Sequence, residues 1–155
     1  PSVVDPKYKH FFNYKGATVF KPNRRELEAA LGAAVDLEHA DALPMVMAQL
    51  EVDNLLLTLG PQGMALLAKD GAITRFPTHA REVYDVSGAG DTVTAWVGTA
   101  LAAGATIREA TVLANYAAGI EVGKAGVAVV TREEVLELYE RRFDEVGMFR
   151  RGGVL

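Results

Sequence analysis

The chain has 155 residues, half of them apolar and 23% charged, so it is long and apolar enough to bury the core of one globular domain. A net charge of −4 without any long basic cluster argues against a nucleic-acid partner. The absence of cysteine excludes disulfides and thiolate metal sites, and the three histidines lack zinc-ligand spacing. No apolar run reaches the roughly 20 residues that span a bilayer, so we expect a soluble, cytoplasmic protein.

Short β-like runs alternate with longer helical patterns, which predicts an α/β fold with a largely parallel sheet. Residues 17–20 predict a strand, after which Asn23 can cap a helix that Gly32 ends. Residues 36–51 are expected to be helical in two pieces, because Pro44 fits a first turn but not a helix interior.

The middle of the chain has the pattern of a central strand followed by a hairpin. The continuous apolar run 54–59 predicts a strand that is buried on both faces. Residues 64–68 and 72–76 predict two strands joined by a tight turn, in which Asp70 and Gly71 supply the positive φ angles. We expect this hairpin to lie toward an edge of the sheet.

The last part of the chain predicts three helices. Residues 91–103 are mostly small or apolar, so this helix is expected to be buried on most sides. Residues 107–122 predict a second apolar-rich helix, and the capping box at 131–134 predicts a last helix through about residue 142. We therefore expect a domain over residues 1–140 and a flexible tail over 141–155.

A glycine-rich turn leads into the first of these three helices. Gly88, Ala89 and Gly90 would present unpaired backbone N–H groups at the positive end of a helix dipole, which suits an anion such as phosphate. Asp91 would lie beside that anion, where its carboxylate can accept a proton from an attacking alcohol. The alternative is a tight strand-to-helix connection in which Asp91 only stabilises the dipole.

Residues 85–92 read D-V-S-G-A-G-D-T and resemble the signature D-T-x-G-A-G-D-T of the ribokinase-like, or PfkB, carbohydrate kinases. Three further segments match the family in order. Residues 23–26 (N-R-R-E) resemble its N-x-x-E element, residues 58–63 (T-L-G-P-Q-G) resemble its T-x-G-x-x-G segment, and Asn115 matches an asparagine near the adenine. The joint occurrence of four segments favours the family over coincidence.

The resemblance implies a three-layer α/β/α kinase domain, of which this chain is the C-terminal part, with ATP and Mg²⁺ as cofactors. It makes Asp91 the general base and Gly88 to Gly90 the anion hole. Glu26 is a hard oxygen donor for Mg²⁺, through water. The residues it places around the nucleotide and metal are Asn23, Glu26, Thr58, Gly60, Gly63 and Asn115.

The resemblance also implies a monovalent-cation site, with K⁺ as the candidate ion. Asp85 would be one ligand, alongside backbone carbonyls near Ser87 and Gly126. Each single residue of the site also has a structural alternative: Asn23 as a helix cap, Glu26 as a first-turn carboxylate, Thr58 as a strand residue and Asn115 as a buried amide satisfied by backbone.

Within the family, residues 80–93 and 115–126 look most like the heptose-7-phosphate kinases of bacterial ADP-heptose synthesis. This likeness implies phosphorylation of the anomeric hydroxyl of D-glycero-β-D-manno-heptose 7-phosphate, on the way to lipopolysaccharide. Ribose, fructose, tagatose phosphate and nucleosides stay open as acceptors, as does a nucleotide-binding module without catalysis. The resemblance places the lid and most sugar contacts before Pro1, so we expect the isolated chain to be poorly active. It also allows a homodimer of the full-length protein.

Overall fold

The computed structural model describes the backbone of residues 1–152 and the side chains of residues 1–142. In these residues the strands are Val3–Val4 (β1), Val19–Phe20 (β2), Leu55–Thr58 (β3), Met64–Leu67 (β4) and Ile73–Phe76 (β5). The α-helices are Arg24–Leu31 (α1), Ala42–Leu50 (α2), Ala89–Ala102 (α3), Ile107–Glu121 (α4) and Arg132–Gly152 (α5).

The five strands form one mixed sheet in chain order. β2 pairs in parallel with β1 and with β3, whereas β4 pairs antiparallel with both β3 and β5. The connection between β3 and β4 is too short for a parallel crossover, so it forces the antiparallel pairing. The α/β class, the central β3 and the edge hairpin are confirmed. Parallel pairing, which was predicted for most of the sheet, occurs among β1, β2 and β3.

The sheet separates two hydrophobic cores because successive side chains of a strand point to opposite faces. Val19 and Leu56 pack with α3 and α4 on one face. Phe20, Leu55 and Leu57 pack with α1 and α2 on the other. All five side chains are fully buried. This arrangement confirms the three-layer α/β/α architecture and fixes α1 and α3 on opposite faces of the sheet.

Two predictions about helices were wrong. Residues 36–51 contain one helix, α2, with Pro44 in its first turn. The preceding residues form turns instead, because Asp36 Oδ1 accepts the Glu38 N–H at 3.0 Å and so competes with helix formation. The helix predicted as buried on most sides, α3, buries only one stripe, since no element of the described chain packs over its outer face.

The last helix begins with the predicted capping box: Thr131 N–H donates to Glu134 Oε2 at 2.8 Å, and Glu134 N–H donates to Thr131 Oγ1 at 3.2 Å. Its backbone continues to Gly152, past the predicted end near residue 142. Residues 153–155 of the predicted tail lie outside the described residues, and the flexible tail stays a prediction.

The turn between β4 and β5 differs slightly from the prediction that both Asp70 and Gly71 have positive φ angles. Only Gly71 has a positive φ, 83°.

Candidate active site

Polar residues cluster where the parallel strands end. Asp5 follows β1 directly, Lys21 follows β2 directly, and Thr58 is the last residue of β3. The carboxyl ends of parallel strands lie at the same edge of a sheet, which is where open α/β proteins bind their ligands. We therefore expect the functional site at this edge of the sheet.

Lys21 is a buried cation at this edge. Its side chain is 3% exposed, and its Nζ lies 3.3 Å from Asp5 Oδ1. A Cβ atom placed on Gly90 would lie 3.5 Å from the same Nζ, so the ammonium group is beside the glycine-rich turn. A desolvated ammonium group with one carboxylate partner is well suited to attract a further anion.

The glycine-rich turn forms the N-terminus of α3, as predicted. Gly88 is the N-cap residue, with φ 87°, and no side chain caps the helix. By contrast, α1 and α4 each begin with a complete capping box. Apart from the Ala89 N–H, which donates to Val86 O at 3.3 Å, the first N–H groups of α3 are left for another acceptor, at the positive end of the helix dipole.

Asp91 lies in the first turn of α3 and is exposed to solvent rather than turned into the core. Its charge contributes to the raised pKa of Lys7. The carboxylate of Asp5, and to a lesser degree those of Glu26 and Asp91, raise the pKa of Lys7. Lys7 Nζ lies 3.4 Å from Asp5 Oδ2 and 3.9 Å from Glu26 Oε1. The fold thus brings Asp5, Lys7, Lys21, Glu26 and Asp91 into one charged cluster.

The N-x-x-E element is both a helix cap and part of this edge. Asn23 Oδ1 accepts the Glu26 N–H, and Glu26 Oε2 accepts the Asn23 N–H, each at 2.8 Å. Asn23 also forms a parallel bridge with Thr58, whose N–H donates to Pro22 O at 3.1 Å. The capping alternative is therefore correct for Asn23 and Glu26, but Glu26 Oε1 remains directed toward Lys7 and the charged cluster.

Gly60 and Gly63 shape a tight turn after β3. Both have positive φ angles, 58° and 84°, and Gly63 N–H donates to Gly60 O at 3.0 Å. Gly63 packs directly against the backbone that follows β5: a Cβ there would overlap the Phe76 carbonyl oxygen and lie 2.8 Å from the Thr78 nitrogen. The glycine segment thus holds the 76–78 backbone close to β3.

Asn115 is buried in α4 and donates from Nδ2 to Pro77 O at 2.8 Å. This contact matches the structural alternative, an amide satisfied by backbone. The ring of the next residue, Tyr116, stacks on the ring of His79, with 4.3 Å between the ring centroids. Burial, and to a lesser degree the charge of Arg142, lower the pKa of His79. Asn115 therefore positions the segment 77–79 next to an aromatic stack.

The residues of the expected cation site also come together. The Ser87 N–H donates to Asp85 Oδ1 at 2.8 Å and lowers the pKa of Asp85, as do the Ser87 hydroxyl and the Gly126 N–H more weakly. Glu121 lies on the other side of this loop: a Cβ on Gly88 would lie 3.3 Å from its Oε1. The ionised form of the Asp85 carboxylate is thus favoured close to the glycine-rich turn.

Sequence reasoning did not single out Lys21 or Glu121 as site residues. The signal for Lys21 is its place directly after a buried strand at the ligand-binding edge. Glu121 gave no such signal, because its burial depends on the loops that cover the end of α4. Among residues 1–142, no group of three carboxylate or histidine side chains could hold a metal. Any Mg²⁺ site here needs oxygens from phosphate and water besides Glu26.

Within the described backbone, none of the helices combines the length and apolarity needed to cross a bilayer. The fold and the site together define an α/β domain in which a helix N-terminus without a side-chain cap is flanked by a buried lysine and an exposed carboxylate. These are the groups that phosphoryl transfer to an alcohol requires.

Comparison with known proteins agrees with this class. A model of the pfkB family carbohydrate kinases matches residues 1–133, and the chain belongs to this family. The bifunctional protein HldE of Rhodospirillum rubrum is 48% identical over 138 residues, covering 88% of this chain and 28% of its own length. The HldE protein of Nitrosococcus oceani is 47% identical over 145 residues, covering 92% and 30%. The chain therefore spans less than a third of these relatives.

The structure of this chain also superposes on solved structures that have the same fold. Arabidopsis thaliana ribokinase, complexed with ribose and ATP, superposes with a TM-score of 0.73 and 26% identity over 89% of this chain and 47% of the ribokinase. Escherichia coli phosphofructokinase-2, in complex with potassium, has a TM-score of 0.77 and 17% identity over 90% of this chain and 46% of its own. The second likeness concerns the fold alone.

Proposed function

We propose that this chain is the C-terminal, catalytic part of an ATP-dependent kinase that phosphorylates the anomeric hydroxyl of D-glycero-β-D-manno-heptose 7-phosphate. The observation that carries the proposal is the placement of the exposed Asp91 next to an uncapped helix N-terminus that the buried Lys21 flanks. The HldE relatives, at 47% and 48% identity, support the heptose acceptor.

In this proposal Asp91 is the general base. Its carboxylate accepts the proton of the anomeric hydroxyl while that oxygen forms a bond to the γ-phosphorus and the bond from phosphorus to the ADP oxygen breaks. The N–H groups at Gly88, Ala89 and Gly90 stabilise the charge on the transferring group, as an oxyanion hole does. Lys21 adds a fixed positive charge beside them.

When bound, ATP supplies the phosphoryl group and Mg²⁺ neutralises charge on its phosphates. Glu26 fits an outer-sphere role for Mg²⁺, because one of its oxygens is used in the capping box and the other faces the charged cluster. The proposed nucleotide-binding residues are those of the family segments: Asn23, Thr58, Gly60, Gly63 and Asn115. Asn115 acts through the segment 77–79 that it holds in place.

Asp85, with backbone groups near Ser87 and Gly126, is proposed to bind a monovalent cation such as K⁺. Asp85 is anionic at neutral pH, as an oxygen ligand for a cation must be, and its hydrogen bonds with Ser87 lower its pKa further. A cation there would offset negative charge beneath the turn that receives the phosphate.

The cytoplasm is the proposed location of the enzyme, and a homodimer of the full-length protein is the proposed assembly.

The proposal is tested by phosphotransfer assays on the full-length protein that carries this sequence, with Mg²⁺, ATP and a panel of acceptors. The panel holds the heptose 7-phosphate, ribose, fructose, tagatose 6-phosphate and a nucleoside. We expect the highest kcat/KM for the heptose 7-phosphate and a new anomeric phosphate signal in the ³¹P spectrum. A preference for ribose would replace the acceptor, and ATP binding without turnover on the whole panel would contradict catalysis.

A further inference from the structure

Glu121 is a buried carboxylate without a protein partner. Its side chain, in the last residue of α4, is fully buried, and neither oxygen forms a hydrogen bond with the described residues. The backbone N–H of Ala128 is near enough to lower the pKa of Glu121, but its geometry is not that of a hydrogen bond to either oxygen. An unpaired carboxylate in a protein interior costs several kcal/mol if it stays charged.

The surroundings of Glu121 add to this cost. The C-terminal end of a helix carries the negative end of its dipole, which disfavours a carboxylate. Burial raises the pKa of Glu121, and the nearby charge of Asp85 raises it further. Lys124, whose charge lowers the pKa of Glu121, is engaged elsewhere: its Nζ lies 2.7 Å from Glu134 Oε1 and donates to Val129 O at 2.8 Å.

The position of Glu121 indicates which group could neutralise the charge of its carboxylate. Its Oε1 lies under Gly88, where an added Cβ would be 3.3 Å away, and Asp85 begins the same loop. The charge of Asp85 is near enough to raise the pKa of Glu121, so two carboxylates lie close to this turn. A cation between them would remove the charge penalty of both and would lie close to the phosphate site.

We propose that Glu121 is the second carboxylate of the cation site at Asp85, and that its oxygens help to hold a monovalent ion such as K⁺ beneath Gly88. The inference rests on the cation site of the proposed function and extends it by this residue. K⁺ fits better than Mg²⁺, because K⁺ exchanges its hydration shell for protein oxygens readily, whereas Mg²⁺ retains several waters that a buried site does not accommodate.

The first test measures K⁺ binding without nucleotide or sugar. The melting temperature of the full-length protein is followed during titration with KCl, against choline chloride at equal ionic strength. We expect K⁺-specific stabilisation of the unmodified protein. In Glu121→Gln the apparent Kd for K⁺ should rise roughly 10- to 100-fold, as when groups that support a metal site are removed. Glu109→Gln, the same change at the opposite end of α4, should bind K⁺ normally.

An unchanged K⁺ response in Glu121→Gln, or no K⁺-specific response of the unmodified protein, would overturn the inference. If Glu121→Gln does not fold, crystals of the unmodified protein soaked with Rb⁺ decide the question: an anomalous peak in contact with Glu121 supports the site, and a peak at Asp85 that Glu121 does not contact rejects it. Neither readout involves phosphotransfer, so a protein that phosphorylates the heptose 7-phosphate but ignores K⁺ refutes the cation site and this inference, and leaves the proposed kinase activity standing.

Discussion

Replacement of Asp91 by asparagine in the full-length protein is expected to lower kcat by roughly 10²- to 10⁴-fold, the usual contribution of a general base. Asparagine retains the size of the side chain but cannot accept the proton of the sugar hydroxyl. The KM for ATP should change little, because the proposed phosphate contacts come from backbone N–H groups and Lys21. Steady-state kinetics with saturating acceptor measure both quantities.

Asp41→Asn is the matched control, since Asp41 is also an exposed aspartate at the start of a helix and its side chain forms no capping bond. We expect its kcat to be normal. If Asp91 only stabilised the dipole of α3, Asp91→Asn would keep ordinary turnover and lose at most about 1 kcal/mol of stability. That pattern would remove Asp91 from the mechanism.

Replacement of Gly63 by alanine is expected to destabilise the protein by roughly 2–5 kcal/mol, the sum of a left-handed backbone and an overpacked contact. The residue has φ 84°, and the new Cβ would collide with backbone atoms of residues 76 and 78 that cannot move without distorting the sheet edge. Denaturant unfolding measures the loss.

Gly60→Ala separates the two causes, because Gly60 also has a positive φ, 58°, but no atom lies within 4 Å of an added Cβ. Its cost should be about 1 kcal/mol, from the backbone alone. Equal losses at both positions would show that the close approach of the 76–78 backbone is not important for stability.

The features that the sequence predicted well are local. The helix cap at Asn23 and the capping box at residues 131–134 depend on side chains close together in the sequence, and the glycine turn at 88–90 depends on its own small residues. The central strand was predictable because a continuous apolar run needs two covering layers. These patterns require no knowledge of distant parts of the chain.

The features that sequence reasoning missed depend on long-range packing. The burial of α3 is decided by which elements cover it, and its composition alone could not show that one side is left open. Lys21 becomes a site residue only because the pairing of β1 and β2 brings it close to Asp5 and because α3 begins at the same edge of the sheet. Asn115 was predicted near the nucleotide, but its bond to Pro77 depends on the path of a distant loop.

The central claim is that backbone N–H groups at the start of α3 bind the transferring phosphate beside Asp91. Its most direct test is a crystal structure of the full-length protein with Mg²⁺ and a non-hydrolysable ATP analogue. We predict terminal phosphate oxygens about 3 Å from the N–H groups of residues 88–90, with Lys21 in contact and Asp91 facing the acceptor space. Phosphates bound at another edge of the sheet, with these N–H groups facing only water, would contradict the account.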